Sequence, residues 1–138
     1  MIITINKTLL TAVFVLEDDQ MRIDWFNEMF WDVPFLFITK DTDEAIPILR
    51  LIKFDLIFLD HDLEETSIYD EDHAEYDATR GKNGLRVAAE LNFTINQETD
   101  CIIHSMNPTG ASNMLKAHPF NTSAIPYHIL YKNVEFTK

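Results

Sequence analysis

Three short polar runs carry most of the residue types that could do chemistry: Glu17-Asp18-Asp19, Asp60-His61-Asp62 and His104-Ser105-Met106-Asn107. Carboxylates brought together from separate segments chelate hard divalent cations. A histidine beside them can act as general acid, general base or ligand. A hydroxyl and an amide leading into a helix start can hold an anion, because free N–H groups and the helix dipole favour negative charge there.

The elements that position these runs are legible in the hydrophobic pattern. Residues 13–16, 35–38 and 101–103 are short continuous apolar runs, as expected of strands buried on both faces, and 54–59, apolar but for Asp55, reads as another strand. Residues 124–130 read as a fifth strand. Between the strands, Met21, Trp25, Phe26, Met29 and Phe30 recur at helical spacing. Asp41 with Glu44 opens a second helix in capping-box form, in which Pro47 fits only with a late start or a kink. Leu85, Ala88 and Ala89 mark a third helix, and Asn107-Pro108 opens a fourth.

Strand and helix in alternation predict an α/β, flavodoxin-like three-layer sandwich around a five-stranded parallel sheet of order 2-1-3-4-5. With the fifth strand at 124–130, the final helix of such a fold is expected to be missing. The chain reads as one domain over 1–138, with 1–12 an extension that offers an edge strand at 2–5. Residues 64–82 form a long acidic insertion whose basic spot is Arg80-Gly81-Lys82.

In open parallel sheets, ligands bind beyond the carboxyl ends of the strands where the strand order switches. The ends of strands one, three and four meet there, and they deliver the three polar runs to one crevice. Glu17, Asp18, Asp60 and Asp62 are the candidate metal ligands. Like charges ~4 Å apart repel by about 4 kcal/mol at an effective dielectric near 20. Such a cluster therefore needs a cation or raised pKa values. Oxygen ligation favours Mg²⁺, Mn²⁺ or Ca²⁺, and adding His61 or His104 moves the preference towards Mn²⁺, Zn²⁺ or iron. Asp19 reads better as a helix cap, and a water-facing Asp62 is the plain alternative for that residue. Ser105, Asn107 and Gly110 are candidates for holding a phosphate, Asn107 also as a cap. Arg22 either clamps phosphate or forms an i,i+4 ion pair with Asp18. His73, His118 and His128 read as surface or packing residues.

Composition narrows the partners. Of 138 residues, 46% are hydrophobic and 25% charged, which excludes wholesale disorder. A formal net charge of −12 opposes long nucleic acid and anionic membranes, while a small anion screened by metal remains compatible. The lone Cys101 excludes an internal disulfide, so a cytoplasmic home is expected. The apolar stretch 9–16 runs straight into acidic residues with no basic cluster before it, so no signal peptide is expected. No run approaches the length of a membrane span.

Leu16-Glu17-Asp18-Asp19 with Arg22 and Phe26, Leu59-Asp60-His61-Asp62-Leu63, and Ile103-His104-Ser105-Met106-Asn107-Pro108-Thr109-Gly110-Ala111 with Met114 together resemble the cyclic-phosphate processing receiver family. That family is similar to the receiver domains of two-component response regulators, with an acidic pair after the first strand, an Asp after the third and a hydroxyl after the fourth. The resemblance, over about residues 13–115, implies a receiver-like fold and action on cyclic phosphates or cyclic nucleotides. Receivers also place a lysine at the end of the fifth strand, for which Lys132 is the candidate here. Three readings stay open. One is a divalent-metal-dependent hydrolase that opens a cyclic phosphodiester, with His61 or His104 protonating the leaving oxygen and Arg22 stabilising charge on phosphorus. The others are a module that sequesters a cyclic nucleotide and a phosphoacceptor receiver using Asp60.

Overall fold

The computed structural model of the chain describes residues 2–63 and 83–137. The insertion over 64–82, including Arg80-Gly81-Lys82, and His73 lie outside the described residues. Among the described residues there are seven strands: β1 Ile3–Asn6, β2 Ala12–Leu16, β3 Phe35–Thr39, β4 Leu56–Leu59, β5 Cys101–Ile103, β6 Thr122–Ala124 and β7 Val134–Thr137. The helices are α1 Gln20–Met29, α2 Thr42–Leu51, α3 Gly84–Leu91, α4 Pro108–Ala117 and α5 Tyr127–Asn133. Strands β3-β2-β4-β5-β6 form one parallel sheet. Counted from β2, its order is the expected 2-1-3-4-5.

Alternation along the strands divides the core in two. Ala12, Phe14 and Leu16, with Ile57, Leu59, Cys101 and Ile103, face α2, α3 and α4. Val13, Val15, Leu56 and Phe58 face the other side, against Phe26 and Phe30 from the α1 region and Leu130 of α5. Central strands β2 and β4 are buried throughout, which is why their residues are continuously apolar rather than alternating.

Two expectations are corrected at the C-terminal end. The fifth strand of the sheet is Thr122–Ala124, not 124–130, and a final helix, α5, is present. Pro126 is the physical cause. It has no N–H to offer a sheet ladder, its φ of −54° suits a helix entry, and its carbonyl accepts from Ile129 and Leu130. Lys132 consequently lies in the last turn of α5, with Nζ 5.6 Å from the Tyr131 ring centroid. The residue that follows β6 is Ile125.

The N-terminal strand β1 pairs in parallel with β7, Ile3 opposite Val134, and not with the main sheet. Ile5, Val134 and Phe136 pack with Phe30 and Phe58 on the α1 side. Pro47 lies inside α2, which starts at Thr42 with Asp41 as its cap, so the helix does not begin late. No helix among the described residues is long and apolar enough to cross a membrane.

Candidate functional site

Leu16, Leu59 and Ile103 are in register across β2, β4 and β5. One residue further on, Glu17, Asp60 and His104 stand side by side. Parity sends all three to the face shared with Val13, Val15 and Phe58. The backbone holds that register past the strand ends: Asp60 N–H donates to the Leu16 carbonyl and His104 N–H to the Leu59 carbonyl, each at 3.0 Å.

The three side chains are almost wholly buried. His104 Nε2 lies 2.9 Å from Glu17 Oε1. A carboxylate only accepts, so Nε2 carries the hydrogen in this pair. The His104 ring packs against Phe26 and Phe58, and its Nδ1 is buried with no hydrogen-bond partner. Glu17 Oε2 accepts the backbone N–H groups of Asp18 and Asp19 at 2.9 and 3.1 Å. Burial works to raise the Glu17 pKa, but the His104 hydrogen bond and charge, the Asp19 N–H and Arg22 outweigh it and hold it below the usual value. Asp60 goes the other way. Burial, the Glu17 charge and a hydrogen bond with Glu17 push it up to about 8, against smaller opposing effects of the His61 N–H and Arg22.

Arg22 covers the pair. Its Nη1 lies 3.6 Å from Glu17 Oε1 and 3.8 Å from Asp60 Oδ2. It reaches them from the first turn of α1, where Asp19 Oδ2 caps by accepting the Arg22 backbone N–H. Tyr127 of α5 supports the guanidinium, with Cζ 5.3 Å from the ring centroid. Spacing alone left the direction of Arg22 open, and the structure turns it into the crevice. Tyr127 was not identified from sequence, because it fell within what read as a strand.

A second polar group adjoins the first. Asp62 Oδ1 lies 2.6 Å from His61 Nδ1 and accepts from Asn107 Nδ2 at 3.2 Å. Asn107 caps α4, its Oδ1 accepting the Gly110 N–H. A Cβ at Gly110 would fall 2.5 Å from His61 Cγ, so the group that approaches this glycine closely is the His61 ring. Gly84 serves Asp60 similarly: a Cβ there would fall 1.9 Å from the Asp60 carbonyl oxygen, so α3 can start against the end of β4 only with glycine. Ser105 is buried and accepts the Asn107 N–H. It lines an apolar cavity of about 310 Å³ between α4 and Pro126.

Of the four candidate metal ligands, the structure brings Glu17 and Asp60 together, with His104 as third member. One ligand atom from each lies within 4.8 Å of the others. Asp18 contributes its backbone N–H to Glu17, and the exposed Asp62 carboxylate is placed on His61 and Asn107. The buried carboxylate pair, one member kept neutral by the other's charge, fits a divalent cation, which would replace both the retained proton and part of the Arg22 contact.

A parallel sheet of this order with carboxylates after its first and third strands defines a receiver-like protein. Residues 13–118 match the family described as the cyclic-phosphate processing receiver domain, and the chain belongs to that family. No curated protein sequence matches the chain. Solved structures agree on the fold. A receiver domain from Methylobacillus flagellatus has a TM-score of 0.61 at 14% identity, covering 90% of this chain and 92% of that one. The receiver domain of a sensor histidine kinase from Pseudomonas aeruginosa, with magnesium coordinated in its active site cleft, has a TM-score of 0.59 at 15% identity, covering 84% of each chain. The response regulator TrrA from Thermotoga maritima, in complex with Mg²⁺ and BeF, has a TM-score of 0.58 at 15% identity, covering 84% of this chain and 85% of that one.

Proposed function

We propose that the protein is a divalent-metal-dependent hydrolase that opens a small cyclic phosphodiester to a linear monophosphate. The observation that carries the reading is the Glu17–Asp60 pair held under Arg22 in a chain of the cyclic-phosphate processing family. Receiver relatives that coordinate magnesium in the corresponding fold support Mg²⁺ or Mn²⁺ as the ion. Glu17 and Asp60 would hold it, and it would supply Lewis acidity towards a phosphate oxygen.

The chain's own residues do the rest. Arg22 turns from the carboxylates to the phosphate oxygens, which its planar fork can bind two at a time. Water attacks phosphorus and its proton passes to solvent, one P–O bond of the ring breaks, and the leaving oxygen takes a proton. His61 is the donor. Asp62 holds its Nδ1–H, so in the imidazolium form Nε2 is the atom that gives up the proton, and the ring is left neutral. His104 is a positioning residue: fully buried, it orients Glu17.

Two properties weigh against a phosphoacceptor reading with Asp60 as acceptor. Ile125 and Pro126, not a lysine, follow the fifth sheet strand, and a histidine follows Asp60 directly. A sequestering module needs the same pocket and differs only in outcome. Chromatography of 2′,3′- and 3′,5′-cyclic nucleotides and of base-free cyclic phosphates, incubated with protein and Mg²⁺ or Mn²⁺, separates the two. Linear monophosphate supports the hydrolase; unchanged ligand recovered from a tight complex establishes the module.

A further inference from the structure

A second cavity, of about 720 Å³, opens beside the acidic centre between α1, the end of β3 and the start of α2, and Glu17 belongs to both. We propose that it is a nucleobase subsite, reading bases whose edge carries hydrogen-bond donors and guanine above all. This rests on the reading that the neighbouring centre takes the phosphate.

Size is the first argument. Ligand pockets run from about 300 to 1,000 Å³, so a cavity of about 720 Å³ has room for a purine base beside the phosphate site. Chemistry is the second. Ile23 from α1 and Leu36 and Ile38 from one face of β3 give the cavity a half-buried apolar wall, suited to the flat face of a base. Its rim carries the exposed carboxylates of Asp41 and Glu44. Carboxylates only accept hydrogen bonds. Guanine presents adjacent N–H donors that match two carboxylate oxygens, whereas uracil presents one donor between two carbonyls that the rim repels.

Charge sets the orientation. The exposed carboxylates of Asp41 and Glu44 outnumber the single ammonium, Lys40, around this cavity, so the ligand's phosphate is repelled from it. The phosphate is drawn instead to Arg22, which is not among the residues lining the cavity and whose Nη1 lies 3.6 Å from Glu17 Oε1. A nucleotide therefore enters with its base in the cavity and its phosphate over the carboxylate pair.

Nucleosides without phosphate test the subsite independently of turnover. In methyl NMR spectra of the full chain, guanosine should shift the Ile23, Leu36 and Ile38 methyls and bind about fivefold or more tightly than uridine, the difference a hydrogen bond makes. Glu44→Lys, an exposed change on α2, should bring guanosine down to the affinity of uridine. Equal affinities, shifts confined to other methyls, or no shifts overturn the proposal. Glycerol 1,2-cyclic phosphate, which has no base, reports on the parent reading. Its turnover without nucleoside binding removes the subsite alone, and nucleoside binding without turnover of any cyclic phosphate supports the subsite and removes the hydrolase.

Discussion

Nε2 of His104 lies 2.9 Å from Oε1 of Glu17, joining two wholly buried side chains that are 87 residues apart in the chain. This bond ties the end of β5 to the end of β2 and fixes the direction of the Glu17 carboxylate. His104→Ala should leave a buried carboxylate short of a partner and a void between Phe26 and Phe58. We expect a loss of roughly 2–4 kcal/mol in urea denaturation, with partial recovery in His104→Gln. A loss under about 0.5 kcal/mol, the range of exposed positions, would show that the pair does not hold the site together.

Divalent ions should raise the unfolding temperature of the wild type. A ligand that binds only the folded state adds about 2.7 kcal/mol at a hundred times its dissociation constant. Millimolar Mg²⁺ or Mn²⁺ should give an upward shift in a thermal melt, and Asp60→Asn should abolish it. The same shift in Asp60→Asn would place the ion elsewhere.

Without metal, Asp60 sets a distinct pH dependence. Its pKa rises from an ordinary 3.8 to about 8 on folding. The stability it contributes is complete below the unfolded value and is lost as pH rises through the folded one, because the unfolded chain gives up the proton first. Glu17, held below its ordinary 4.5, contributes stability above that value and loses it as pH falls. In EDTA, wild type should therefore weaken between about pH 5 and about pH 8, and Asp60→Asn should flatten that slope, gaining ~1 kcal/mol or more at the upper end. Parallel urea-denaturation profiles for the two proteins would contradict the assignment.

Much of this site was legible in the sequence because strand ends in a parallel sheet are where polar residues must emerge. Glu17, Asp60 and His104 each close an apolar run, and a period of two sends them to one face. The direction of Arg22 was not legible, since its spacing from Asp18 suits an exposed ion pair as well as a turn inward. The last helix was misread because residues 124–130 are largely apolar; Pro126 was the signal against a strand. The β1–β7 pair depends on contacts between opposite ends of the chain, for which no local pattern exists. Asn96 was missed too: fully buried, it accepts the Phe54 N–H and donates to the Leu49 and Ile52 carbonyls, joining the end of α2 to the start of β4. Its neighbours in sequence give no hint of those partners.

Asp60 should not behave as a regular phosphoacceptor. Its carboxylate accepts the His61 N–H at 2.8 Å and is covered by Arg22, and Ile125 follows the strand where receivers carry lysine. Intact-mass spectrometry after incubation with acetyl phosphate and Mg²⁺ should show no added phosphoryl group. A stoichiometric adduct that disappears in Asp60→Asn would restore the receiver reading.

The most direct measurement is the rate at which a cyclic phosphodiester becomes a linear monophosphate, followed by chromatography with wild type, wild type in EDTA, Asp60→Asn and Arg22→Ala. We expect turnover by wild type with Mg²⁺ or Mn²⁺, none in EDTA or Asp60→Asn, and a drop of about a hundredfold or more in Arg22→Ala, in line with the loss of a charged contact to the transition state. Turnover that survives both EDTA and Asp60→Asn would contradict the proposed function, as would the absence of turnover across every cyclic phosphate tried.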